Sequence, residues 1–146
     1  MSGIIYDTTM NAVIDTNVIL SGLKSKKGYS YKLLQLLPEK QFTPCISVPL
    51  ILEYEAILKK HAKHLTDKYV DDFLNYICAI SNSVKIHYLW RPILKDPFDD
   101  HILELAVNAQ AESIITFNTD DFKECIEFGI TVEKPKEFLL RIGGTK

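Results

Sequence analysis

The chain is short of cysteine and carries no strong charge of either sign, and both shortages narrow what it is. Its three cysteines, Cys45, Cys78 and Cys125, are widely spaced and form no C-x-x-C pair. That pattern excludes a disulfide framework and reads as reduced, mostly buried thiols of a cytoplasmic protein. A zinc site needs clustered ligands, and only His61 and His64 are close in sequence. Both sit among lysines, the mark of a solvated helix face. Net charge is −2, so no global positive field advertises nucleic acid, although a local patch suffices for binding. No apolar run approaches the ~20 residues of a membrane helix, and no signal peptide is visible, so no membrane association is expected. Repeats, low-complexity segments and interdomain linkers are absent, and so is a G-x-x-x-x-G-K-[ST] phosphate loop. What remains is an ordinary globular composition, 47% hydrophobic and 25% charged over 146 residues. A single domain of this length buries roughly two-thirds of its unfolded surface.

Hydrophobic periodicity alternates strands with helices. Strands are predicted over about 11–15, 41–47, 84–89, 113–117 and 129–132. Helices are predicted over 18–23, 31–37, 50–62, from Thr66 to about Ile80, 98–109, briefly after 118–121, and 135–142. Such alternation implies parallel βαβ units: an α/β fold with a five-stranded parallel sheet and helices on both faces. Residues 1–9 have no place in the pattern and are expected to be an N-terminal extension, Met10 being a candidate original start. The domain is expected over 10–142, with a short tail over 143–146.

In a parallel sheet every strand C-terminus and every following helix N-terminus lies on one edge, where ligands bind. Acidic residues recur at that place in successive units. Asp15 ends the first strand, and Glu53 is one turn into the helix after the second. Asp96, Asp99 and Asp100 open the helix after the third, and Asn118, Asp120 and Asp121 follow the fourth. Helix capping and the helix dipole explain part of this, since acids favour first turns. Capping does not require Glu53, set between Leu50-Ile51-Leu52 and Tyr54, nor an acid directly on the end of a buried strand. Two charges ~5 Å apart repel by about 3 kcal/mol at an effective dielectric of 20. Either their pKa values rise or a divalent cation supplies the missing charge. Oxygen donors without neighbouring cysteine or histidine favour Mg²⁺ or Mn²⁺ over zinc. Ions of that kind suit phosphodiester hydrolysis. No Ser/His or Cys/His pair falls at this edge, which argues against covalent catalysis.

Four motifs, in order, resemble the PIN-domain nucleases. They are Asp15-Thr16-Asn17 after a strand, Glu53 in the helix after the second strand, Asp99-x-x-Ile102-x-x-x-Ala106, and Thr116-x-Asn118-x-x-Asp121-Phe122. The likeness runs from about Asn11 to Leu140, and Asp96-Pro97-Phe98-Asp99-Asp100 is most similar to the branch comprising toxins of bacterial toxin–antitoxin pairs. The resemblance implies that Asp15, Glu53 and Asp99 bind metal, with Asp96 or Asp100 assisting. Asn118 stands where many members carry an aspartate, so Asp121 or Asp120 is expected to supply that charge. Thr16 and Asn17 would orient Asp15, with Thr116 a further assisting residue.

The implied activity is a metal-dependent endoribonuclease cleaving single-stranded RNA. Its implied partners are the RNA, a small antitoxin protein and a second copy of the chain as a homodimer. Lys24, Lys26 and Lys27 in the loop, and Lys59, Lys60 and Lys63 with Arg91, are candidates for phosphate contact, and any one of them equally suits a solvated face. Two rival phosphoryl-transfer folds fit less well. A haloacid-dehalogenase phosphatase needs an aspartate where Asn17 stands. A response-regulator receiver needs one ending strand three, which here ends near Tyr88-Leu89-Trp90. The alternative of another class is a PIN-like module that binds RNA or protein without cleaving it.

Overall fold

A computed structural model of the chain describes residues 10–86 and 99–143. Five parallel strands form one sheet in the order β3-β2-β1-β4-β5. They are β1 Met10–Ile14, β2 Phe42–Ile46, β3 Asn82–Ser83, β4 Ser113–Ile115 and β5 Thr131–Glu133. Ala12, Val13 and Ile14 are all buried, as suits a central strand covered on both faces.

The helices follow as α1 Thr16–Lys24, α2 Tyr29–Gln35, α3 Val48–His61, α4 Asp67–Ile80, α5 Asp100–Asn108 and α6 Pro135–Ile142. A 3-10 turn covers Leu37–Glu39 and a longer 3-10 helix Thr119–Phe128. From β1 the chain steps outward to β2 and β3, then returns across the sheet to β4 and β5. Right-handed crossovers in opposite directions put α1 to α4 on one face and α5 with the 3-10 helix on the other. The packing agrees, with α1 against α2 and α3, α3 against α4, and α5 against the 3-10 helix. Among the described residues, no helix is long and apolar enough to cross a membrane.

Three predicted strands end elsewhere, each for a local reason. The third was expected from Val84, guided by its apolar side chains. The strand is Asn82–Ser83, polar and exposed because it forms the sheet edge, although Val84 N still donates to Ile46 O at 2.8 Å. The expected continuation over 87–89 lies outside the described residues. The fifth does not start at Gly129, whose φ of 75° closes the 3-10 helix instead. The fourth stops at Ile115, with Thr116 N adding one further bond to Glu133 O at 3.0 Å. The sequence stripe of α5 is borne out, since Ile102, Leu103, Leu105, Ala106 and Ala109 are all buried.

One ion pair fastens the β5 side of the sheet. Glu133 is buried, accepts from Ser113 Oγ at 2.6 Å and from Arg141 Nε at 3.0 Å, and so ties α6 to β4 and β5. Arg141→Met should leave that carboxylate buried without its cation. Because Arg141 is partly exposed, the expected loss is roughly 1–3 kcal/mol, below that of a fully buried pair. Urea unfolding measures it, and a change under about 0.5 kcal/mol would show the pair to be incidental.

Candidate active site

The order of the strands places a crevice. Connections leave β1 toward β2 on one side, while β4 lies on its other side, so the direction of winding reverses between β1 and β4. Ligands of open α/β sheets bind at the carboxyl edge of such a reversal. Asp15 follows β1 there, its backbone N–H continuing the ladder to Ile115 O at 2.9 Å.

Asp15 is only 8% exposed. It is indeed the N-cap of α1, with Oδ1 accepting from Thr16 N at 2.8 Å. Capping uses one oxygen only. The other, Oδ2, accepts from Thr116 Oγ1 at 2.7 Å, and that hydroxyl accepts in turn from Asn118 N at 3.0 Å. Since Asn118 N–H occupies the hydroxyl as a donor, the hydroxyl's own proton is directed at Asp15. Burial pushes the Asp15 carboxyl above its usual value, against the lowering effect of Thr116 and Thr16; the Glu53 charge raises it further and His101 lowers it.

Glu53 reaches the same edge from α3. Its Oε2 accepts a short hydrogen bond from Thr16 Oγ1, so one threonine holds Asp15 through its backbone and Glu53 through its side chain. Glu53 Oε1 lies 3.2 Å from His101 Nε2, on the first turn of α5. The His101 hydrogen bond holds the Glu53 carboxyl below its usual value, against partial burial and aided by Thr16. Tyr54, the next residue, is fully buried and donates to Ile14 O beneath Asp15.

Asp99 is the N-cap of α5 and Asp100 its first residue, almost wholly buried. The Cys125 thiol is pushed up to about 12 by burial, then by the charges of Glu124, Asp100 and Asp99. Asn118 contributes its backbone N–H, while Asp120 and Asp121 are exposed in the first turn of the 3-10 helix. Asn17 leaves a buried Oδ1 without a hydrogen-bond donor. Lys24, Lys26 and Lys27 are exposed at and just beyond the far end of α1, roughly 13 Å along the helix from Asp15. Lys59 is bound to Glu55 and Asp71. Asp96 and Arg91 lie outside the described residues. Among the described residues, no three His, Cys, Asp or Glu side chains lie close enough together to hold a metal ion. Asp15 and Glu53 are joined through Thr16.

His101 escaped the sequence reasoning, which weighed histidines only as zinc ligands. The available signal was an imidazole directly after the acids that open α5, in Asp99-Asp100-His101.

The sequence profile of the PIN domain matches residues 11–120, most of the chain. The chain belongs to the PIN domain family. No curated protein sequence matches it significantly. Among solved structures, this PIN domain is similar to a chain of VapBC2 from Rickettsia felis bound to a DNA fragment from its promoter. The TM-score is 0.58 at 15% identity, over 86% of this chain and 98% of that one. A chain of VapBC-1 from nontypeable Haemophilus influenzae gives 0.54 at 17%, over 87% of this chain and 99% of that one. At these identities the likeness is one of fold, and it agrees with the five-stranded parallel sheet.

The two joined acids of this PIN domain give opposite pH dependence. Repulsion between the two would raise either pKa, but donors from His101 and Thr16 outweigh it for Glu53. For Asp15 the folded value lies above the unfolded one, about 3.9. Its contribution favours folding below that pH and is lost as pH rises through the raised folded value. For Glu53 the contribution is present above about 4.3 and is lost as pH falls through the depressed folded value. In EDTA, Asp15→Asn should therefore lessen the stability lost between about pH 4 and neutral. Glu53→Gln should lessen the loss below about pH 4. Denaturant melts across pH read both slopes, and a change of the same sign for both substitutions would contradict this assignment.

Proposed function

We propose that this PIN domain is a divalent-metal-dependent endoribonuclease acting on single-stranded RNA, and the toxin of a toxin–antitoxin pair. The observation that carries the reading is the pairing of Asp15 and Glu53 through Thr16 at the crevice of a PIN-domain sheet. Two carboxylates repel a phosphate as well as each other, so an acidic crevice serves phosphodiester chemistry only with a cation present. The donor chemistry fits a hard ion: carboxylate oxygens, with the unpartnered Asn17 Oδ1 two residues from Asp15. Asp15, Glu53 and Asp99 would hold Mg²⁺ or Mn²⁺, with Asn118 and Asp121 completing or orienting the set and Asp96, Asp100 or Asp120 assisting. When bound, such an ion activates water and stabilises in-line displacement at phosphorus.

The chain's own residues do the positioning. Asn118 N–H fixes the Thr116 hydroxyl, Thr116 and Thr16 fix Asp15, and Thr16 fixes Glu53. An ordered carboxylate pair costs little reorganisation at the moment of reaction. A small antitoxin protein as partner is supported by the two solved structures named above, each of a VapBC. A homodimer and a cytoplasmic location belong to the same reading. The exposed Lys24, Lys26 and Lys27 would contact phosphates at a distance from the scissile bond, with Arg91 as a further cation.

The test is cleavage of a labelled single-stranded RNA with Mg²⁺ or Mn²⁺ against EDTA. Wild type should cleave only with metal, and Asp15→Asn and Asp99→Asn should each cost orders of magnitude while melting as wild type does or higher. Asn118→Asp should keep or raise the rate by adding a carboxylate. Cleavage that survives EDTA and both substitutions would overturn the mechanism. No cleavage of any RNA or DNA, with Mn²⁺ shown to be bound, would favour the binding module instead.

A further inference from the structure

Among the described residues, His101 stands at the crevice without a task in the proposed reaction. Its Nε2 lies 3.2 Å from Glu53 Oε1, and a deprotonated carboxylate can only accept, so Nε2 carries the proton of this bond. Glu53 stands on α3 in one helical layer and His101 on α5 in the other. The bond therefore closes over the carboxyl edge of the sheet, where those two helices touch.

With Thr16 on Oε2 and His101 on Oε1, both oxygens of Glu53 are engaged and the plane of the carboxylate is set. Each oxygen keeps a further lone pair for a cation. Without His101 the half-exposed Glu53 side chain has free rotamers toward solvent. The imidazole itself is mostly covered, and its Nδ1 is buried with no partner among the described residues. Covering a ring whose second nitrogen goes unsatisfied is unfavourable, and an apolar side chain of similar volume avoids it. What the imidazole adds over that side chain is the donor aimed at Glu53.

We propose that His101 is a positioning residue, holding Glu53 through Nε2–H in the orientation that takes a divalent cation together with Asp15. This rests on the metal-dependent reading above. His101 acts through Glu53 and needs to touch neither the ion nor the RNA. The same turn of α5 carries Asp99, so one helix start would both present an acid and fix another from the opposite layer.

Calorimetric titration of the full chain with Mn²⁺ tests this without reliance on activity. His101→Gln keeps an N–H donor at similar reach, and His101→Leu removes it while keeping bulk. His101→Gln should bind Mn²⁺ within about threefold of wild type, and His101→Leu more weakly by roughly 10–100-fold, the usual cost of losing a partner that orients a ligand. Melting in EDTA near neutral pH should be unchanged for His101→Gln, and for His101→Leu lowered by no more than the loss of one hydrogen bond to Glu53. A two-bond ¹H–¹⁵N spectrum of the metal-free chain should show Nε2 as the protonated nitrogen, with a shift on Glu53→Gln. If His101→Leu fails to fold, His101→Asn, whose amide is too short to reach Glu53, must show the same loss. Equal affinity for His101→Leu and wild type, or equal weakness of His101→Gln and His101→Leu, overturns this inference alone. Absence of Mn²⁺ binding by wild type overturns the metal reading and this inference with it.

Discussion

Asp15 is withdrawn from water at the end of the central strand, and much of the surrounding structure meets the cost of keeping it there. Burial disfavours its charge, and a second carboxylate from α3 adds to the difficulty. The chain answers with donors. Backbone N–H of Thr16 and the hydroxyl of Thr116 take one oxygen each, and Thr116 is oriented by the backbone of Asn118. Those donors come from α1 and from the turn after β4, the two segments flanking the reversal of the sheet. The winding order of the strands is thus what puts the donors within reach.

Thr16 links the two acids, and its position explains how α1 and α3 share one site. Its N–H belongs to the first turn of α1, while its hydroxyl reaches Glu53 on the neighbouring helix. Glu53 is satisfied differently from Asp15, since half of its shell comes from His101 across the sheet edge. The two carboxylates consequently move in opposite directions from their ordinary pKa values, one dominated by burial and the other by a hydrogen bond. A crevice so arranged holds its carboxylates in a fixed geometry, which is the physical basis of the proposed metal-dependent chemistry.

Most of the fold was legible in the sequence. Apolar runs such as Ala12-Val13-Ile14, the stripe of α5 and the Pro135 start of α6 marked elements that carry the core. Legibility failed where burial stops: β3 is polar because it is an edge, and Gly129 serves a helix end rather than a strand. For the site, the meeting of Asp15 and Glu53 followed from their equivalent places in successive βα units. The bond between Thr116 and Asp15 crosses 101 residues of sequence, and no local pattern encodes such a contact. His101 was missed because its partner is a side chain on another helix. Crowded carboxylates have two general remedies, raised pKa values or a cation. The structure adds a third, hydrogen-bond donors supplied by the protein itself.

The central claim is that a divalent ion sits between the acids at the reversal of the sheet. Anomalous scattering from crystals of the full chain grown with Mn²⁺ tests it most directly. A manganese peak within coordination distance of both Asp15 and Glu53 carboxylates, about 2.0–2.2 Å from oxygen, is the predicted result. Ordered Mn²⁺ elsewhere on the surface, with the Asp15 and Glu53 oxygens still held only by Thr16, Thr116 and His101, would contradict it.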